Sequence, residues 1–513
     1  MEQLSADIER MPITVITSSR TTRILGALIC AIFLSISVAT LLTARPQTDE
    51  AVYANPGYNL LYNGRMGTTL YELRGYMPLS MTERTFWQPP LYFLITAAWY
   101  RLAGFGLFQV RILSVLFGLL AIYSWFMIGR CLSGSSILAL LMSSLVSIDY
   151  FFVLGASQGR MDMMCAALGV AAIAVYLRLR VRSFPSAIFW SHALATMSVL
   201  THPVGVGYWL GLMLLIVYFD RRALSFKILL LAAAPCLLGA AGWGLYIAQD
   251  PIAFVTQMRR SLELNKYSFE MPNLSSIGFI RNLQLELRFR YLGPFGFGPG
   301  LGLVQRAKTL VLIAYVVGVV GTFLLSRSRE RRNTIVLPAL AVVAILYLAL
   351  VSPSKFVYYL PHTTMFMAAC LAAFLYYLKL SARRKQIVLA AALTLVGGIQ
   401  MGGLLYRVHQ NPYGHSFVPA VASIVHNSAP GTVVVGSGEL WFRLQPDRSV
   451  LHDPALGFRN GMKPRIFVMD PLYRELNERD RKAGSPIYPW VRDYLNQSHS
   501  VYADGYYQVY IHD

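Results

Sequence analysis

An acidic pair, Asp49-Glu50, and a further acid, Asp162, are the side chains of this sequence best suited to proton transfer. A carboxylate beside hydrocarbon is costly unless it is paired or put to work. An ionised Asp49 has the chemistry of a general base towards an attacking hydroxyl, a task in which geometry comes before pKa. Its bland alternative is a solvated loop start paired with Arg45. Asp162, in SQGRMDMM (157–164), has its own alternative, an ion pair with Arg160 at a helix start where an acid suits the dipole. Asp149 is expected at the interface. Arg111 and Lys355 can grip a phosphate, Arg through a bidentate fork and Lys as a point charge, or can simply snorkel to the membrane surface. His202 in THPVG (201–205) and His362 in SPSKFVYYLPH (352–362) are either capping histidines or substrate contacts. Acids for proton transfer beside cations for phosphate suit a reaction whose leaving group is a lipid phosphate, because cations stabilise the charge that develops on departure.

The elements that must hold these residues are membrane spans. Of 513 residues, 55% are hydrophobic and 14% charged, with mean hydropathy +0.49, against roughly 25% charged residues in soluble domains. A soluble enzyme is excluded. Apolar runs near 24–42, 111–129, 134–153, 163–179, 187–201, 203–219, 228–248, 303–325, 334–351, 358–378 and 386–405 are each long enough to be read as a span, and predict about eleven transmembrane helices. The first exceeds a signal-peptide core and is expected to stay uncleaved. The least secure division is that of 187–219 into two. With the N-terminus inside, Arg130, then Arg178, Arg180 and Arg182, then Arg221, Arg222 and Lys227, then Arg327, Arg329, Arg331 and Arg332, then Arg383, Arg384 and Lys385 all fall in inner loops. The positive-inside rule favours this register over one shifted by a span. Much of the net charge of +20 therefore reads as topology, not as a nucleic-acid partner. The five cysteines lie in or beside apolar runs without metal-ligand spacing, and read as packing residues.

In this register Asp49, Glu50, Arg111, Asp162, His202 and Lys355 share the outer face. Two outer segments, 44–110 and 249–302, are too long to be mere connections. Within the first, PLYFLITAAWYRLA (90–103) is apolar but short and predicts an interfacial helix; the second ends in the turn-dense YLGPFGFGPG (291–300). After residue 405 the composition turns polar, with β-type runs at TVVVG (432–436), RIFVM (465–469) and YYQVYI (506–511). The expected domains are a membrane unit over 1–405 and a small extracytoplasmic α/β domain over 406–513. Aromatic residues in WFRLQP (441–446) and DGYYQVY (504–510) either stack on sugars or form strand core. No internal repeat is evident, and the spans are expected to be unbroken.

Four patches resemble the polyprenyl-phosphate-sugar-dependent membrane glycosyltransferases of GT-C type, which include protein O-mannosyltransferases and the lipid A aminoarabinose transferase. TDEAVYANPGYNLLYNG (48–64) is similar to their Asp-Glu opening of the first outer loop. FWQPPLYFLITAAWYRLAG (86–104), then FQVRILSVLFGLL (108–120), resemble their Pro-Pro-Leu-Tyr stretch and the Arg-Leu-x-Ser start of the next span. GRMDMMCAAL (159–168) and SKFVYYLP (354–361) complete the set. The resemblance implies that Asp49 is the catalytic base and that Asp162 helps build the same site; Glu50 and Asp162 are expected to orient sugar or acceptor. The resemblance places Arg111 and Lys355 on the donor phosphate; Arg160 is expected beside them, and His202, Tyr53, Gln88 and Tyr359 are expected to contact substrate. Trp87-Gln88-Pro89 stands where the aminoarabinose transferase carries Glu-Lys before its proline, so that subfamily's metal ligand and phosphate lysine are missing; whether a divalent ion assists stays open. The Trp-Trp-Asp signature of oligosaccharyltransferases is absent.

The expectation is an integral inner-membrane enzyme that moves a single sugar, a hexose or pentose, from an undecaprenyl- or dolichyl-phosphate-linked donor to a glycan, lipid or protein acceptor outside, with inversion. Its rival is a lipid-linked glycan flippase. Internal repeats and broken helices would favour the rival.

Overall fold

The computed structural model describes residues 19–71, 79–268, 276–298, 301–352 and 355–512. The polar N-terminal stretch with Arg10, the end of the Gly-Pro-rich segment at 299–300, and Pro353-Ser354 lie outside the described residues. An apolar run in hydrocarbon must satisfy its own amides, and so the runs fold as helices. Helix α1 (Arg20–Thr43) leads into α2 (Thr48–Asn63) and α3 (Leu91–Ala103), which belong to the first long loop. Then come α4 (Leu107–Ser133), α5 (Ser136–Ser147), α6 (Tyr150–Ala156), α7 (Met161–Leu179), α8 (Phe184–Thr201), α9 (Val206–Asp220) and α10 (Phe226–Ile247). The second long loop forms α11 (Pro251–Ser268), α12 (Ser276–Leu285) and a π-helical turn at Glu286–Leu292. Helices α13 (Leu303–Leu325), α14 (Val336–Val351), α15 (Pro361–Tyr377) and α16 (Ala382–Gln410) close the bundle.

These helices occupy the positions of the expected spans. Among the described residues eight are long and apolar enough to cross a membrane, and the pair α5–α6 makes a ninth. The shorter α8 and α15 fill the remaining two places. The doubtful region 187–219 is two helices: α8 and α9 pack on each other across a 3-10 turn at Pro203–Gly205. Two expectations are corrected at Asp149. The span at 134–153 is broken, α6 turning 68° away from α5. Asp149 is not interfacial but fully buried, because it caps α6 through the Phe152 amide (2.8 Å) and accepts from Tyr315 (2.7 Å), Thr364 (2.9 Å) and Gln400 (3.0 Å). One carboxylate thus satisfies the freed helix end and ties it to α13, α15 and α16.

Helix α7 is buried nearly all round, between α4 and α8. Its Ala- and Gly-rich sequence permits close approach. The Arg/Lys clusters gather at one end of the bundle, where Arg180 bridges Asp220 (2.7 Å) and Arg331 donates to the Tyr377 carbonyl (3.2 Å). The two long loops gather at the other.

Beyond α16 a π-helical turn (Tyr413–Phe417) and α17 (Val418–His426) lead to a five-stranded sheet: β1 (Val433–Val435), β2 (Ser449–Leu451), β3 (Ile466–Met469), β4 (Ser498–Ala503) and β5 (Gln508–His512). The order is β2-β1-β3-β5-β4, with β1 parallel to β2 and β3, and β5 antiparallel to β3 and β4. Helices α18 (Pro471–Lys482) and α19 (Ile487–Asn496) contribute Tyr473, Val491 and Tyr494 to a core with Val435 and Phe467. The domain sits on the first loop. Trp441 packs on Tyr58 and Phe105, the His452 amide donates to the Leu70 carbonyl (2.6 Å), and Thr48 donates to Glu439 (2.7 Å).

Candidate active site

The first turn of α2 fixes the geometry. Gln47 and Glu50 form a reciprocal capping box, with the Gln47 amide donating to Glu50 Oε2 (2.9 Å). Glu50 is fully buried, and both its oxygens are engaged by Arg111, through Nε (2.8 Å) and Nη2 (2.8 Å). Arg111 spends its three remaining N–H groups on the carbonyls of Leu41 (2.6 Å), Ala44 (2.8 Å) and Arg45 (3.3 Å). A guanidinium has five donors, so none is left for a phosphate. The phosphate role expected of Arg111 and the substrate role expected of Glu50 give way to a positioning role. Together they pin the end of α1 to the start of α2.

Glu50 Oε1 also accepts from the Gly159 amide (2.7 Å), and Tyr92 of the Pro-Pro-Leu-Tyr stretch donates to the Gly159 carbonyl (2.9 Å). A side chain at 159 would lie 2.5 Å from Val110, so glycine alone allows this approach. Clamped on both faces, Gly159 delivers Arg160 to the acids. Arg160 Nη1 bonds Asp49 Oδ2, and Nε bonds Asp162 Oδ2 (2.8 Å). Its Nη2 makes no protein hydrogen bond among the described residues. The guanidinium lies over the rings of Tyr358 (4.3 Å) and Tyr53 (5.2 Å), and Tyr53 stacks on Trp87 (5.6 Å). Asp49 does not pair with Arg45.

The two acids differ in access. The Asp162 side chain is 3% exposed and the Asp49 side chain 46%. Oδ1 of Asp162, Nε1 of Trp87 and Oε1 of Gln88 are buried without a hydrogen-bond partner. His202 accepts from the Val204 amide at Nδ1 (3.1 Å) and faces the Tyr359 hydroxyl at Nε2 (3.5 Å). His362 places Nδ1 against Tyr208 (2.9 Å), and its ring lies 6.3 Å from that of Tyr359.

Lys355 is buried, and its ammonium donates to the carbonyls of Ala349 and Ser352 (both 2.8 Å) and sits 3.2 Å from Glu286 Oε2. It caps α14, which corrects the phosphate role expected of it. Burial pushes its pKa below the usual ammonium value. Glu286 also pairs with Arg290, whose guanidinium lies 5.5 Å from the Tyr359 ring centroid. This buried Glu286–Arg290–Lys355 group was not read from the sequence. Its one signal is the Glu/Arg spacing of four within an outer loop. Also missed is Arg45, stacked on Tyr506 at 3.1 Å; its Nε, like that of Arg407 near the end of α16, is buried without a hydrogen-bond partner. Among the described residues no three of His, Cys, Asp and Glu converge as a metal set.

The structure thus brings Asp49, Asp162, Arg160, Tyr53, Tyr358, Tyr359 and His202 together, from three of the four sequence patches and from THPVG (201–205). The sequence matches no protein-family model and no curated protein. Solved structures share its fold. ArnT from Cupriavidus metallidurans in the apo state is 16% identical, with 94% of this chain and 97% of that chain aligned at a TM-score of 0.58. The same protein bound to undecaprenyl phosphate is 17% identical over 96% and 98%, at 0.54. The archaeal oligosaccharyltransferase AglB from Archaeoglobus fulgidus, in complex with an inhibitory peptide and a dolichol-phosphate, is 13% identical over 94% and 73%, at 0.54. The chain shares the polytopic membrane fold of these proteins.

Proposed function

We propose that the chain is a membrane glycosyltransferase that moves one sugar from a polyprenyl-phosphate-linked donor to an acceptor hydroxyl on the extracytoplasmic side. The observation that carries this reading is the unequal exposure of two carboxylates on one arginine. Asp162 is enclosed, whereas Asp49 keeps one oxygen for a substrate while the other is held by Arg160. The fold shared with structures that contain undecaprenyl phosphate and dolichol-phosphate supports the donor class.

In the reaction Asp49 removes the acceptor hydroxyl proton as that oxygen attacks the anomeric carbon. The bond from that carbon to the phosphate oxygen breaks, the polyprenyl phosphate departs with the electron pair, and the configuration inverts. Nη2 of Arg160, with Arg45 and Arg407, holds the departing phosphate in place of Arg111 and Lys355. Asp162 keeps Arg160 aimed. Tyr53, Gln88, His202 and Tyr359 contact sugar or acceptor. The arginine-rich end faces the cytoplasm by the positive-inside rule, with the N-terminus; the site and the domain after α16 face outwards from an inner membrane.

The test is release of free polyprenyl phosphate by the purified chain in nanodiscs, from a panel of polyprenyl-phosphate sugars. Acceptor-dependent release is expected with one donor. No release from any donor, alongside donor movement across liposome membranes, would assign the chain to transport.

A further inference from the structure

At the arginine-rich end, away from the candidate site, α1, α4, α5, α7 and α8 enclose a cavity of about 790 Å³, open on one side. Its walls are apolar, with Ile29, Leu120 and Tyr123 among them. The hydroxyls of Ser124 and Ser143, which also line it, are already spent on the Leu120 and Ile122 carbonyls. Charge is confined to Arg23 and Arg178, which sit near opposite ends of their helices and so meet at one rim. Neither makes a side-chain hydrogen bond or ion pair among the described residues, although Arg180 nearby is committed to Asp220.

An apolar cavity of about 150 Å³ holds one benzene. By that measure this one has room for on the order of thirty carbons, two acyl chains of common length. An apolar space within spans, rimmed by two unpaired arginines, complements a molecule with a long apolar body and an anionic head. We propose that the cavity binds an anionic diacyl phospholipid of the adjoining leaflet, with its chains between α1, α4 and α7 and its phosphate on Arg23 and Arg178. The lipid would join α1, whose far end leads into Arg45 and the start of the site, to the buried α7.

Gly26 offers a direct test. It lines the cavity, and a Cβ built there meets nothing within 4 Å, so Gly26→Phe puts bulk into the lipid space without a backbone clash. Thermal unfolding of the delipidated full chain is measured against added dioleoylphosphatidylglycerol, dioleoylphosphatidylcholine and decaprenyl phosphate. Phosphatidylglycerol is expected to raise the wild-type Tm and phosphatidylcholine not to. Arg23→Gln and Arg178→Gln should each raise the lipid concentration needed by about fivefold, and Gly26→Phe should abolish the response. An equal response to phosphatidylcholine, a stronger one to decaprenyl phosphate, or an unchanged response in all three variants would overturn the proposal. The headgroup comparison uses wild type alone, and so stands even if a variant misfolds.

Discussion

Residue identity told which side chains carry charge near the outer loops, but not which of them face one another. Arg111 was legible as a cation at a span start. Its partners were not, since Glu50 is 61 residues away in sequence and three further acceptors are backbone carbonyls, which have no signature. The same holds for Lys355, whose acceptors are the last turn of α14. Asp49 and Asp162 looked equivalent by position; the structure separates them by exposure, which follows from where Arg160 is delivered. Because Arg111 and Glu50 are both fully buried, removing either leaves an uncompensated charge, at a cost of about 3–5 kcal/mol. Arg111→Met and Glu50→Gln should each lower the thermal midpoint strongly, and the double variant should lose less than the two losses added. Additive losses in a double-mutant cycle would show that the two side chains are not coupled.

At the scale of elements, long apolar runs gave the bundle away, and β1, β3 and β5 lie within the apolar stretches that predict them. Shorter or more polar elements stayed hidden. Strand β2 is only three residues, SVL, and β4, SHSVYA, lacks a clean alternation. Helix α2 carries Pro56 and polar residues, which read as loop. The break before α6 depends on Gln400 and Tyr315 reaching Asp149 from distant helices. Docking of the sheet domain on α2 adds a pH dependence. Glu439 accepts from Thr48 (2.7 Å) and Tyr507 (3.0 Å), and burial, reinforced by Asp470, pushes its pKa up to about 7 from 4.5. Between those values the folded carboxyl keeps a proton that the unfolded one has released. Its stabilising contribution is therefore complete below 4.5 and is lost as pH rises through about 7. Hydrogen exchange in the first turn of α2 should quicken as pH rises through neutrality, beyond the intrinsic base catalysis of exchange, and Glu439→Gln should remove that excess. An unchanged excess in the variant would locate the sensitivity elsewhere.

For the whole molecule, the charge pattern divides the labour. Arginines gather at one end and rim the proposed lipid cavity, while the acids and the enclosed Arg160 gather at the other, beside the sheet domain. The proposed reaction depends on Asp49, the one acid of the constellation that is held and still accessible. The decisive measurement is the single-turnover rate of acceptor-dependent polyprenyl phosphate release by Asp49→Asn against wild type, in nanodiscs at matched folding and donor occupancy. Loss of the general base predicts a fall of about 10²–10⁴-fold with donor binding retained. A rate within a few-fold of wild type would contradict the assignment of Asp49 as the base.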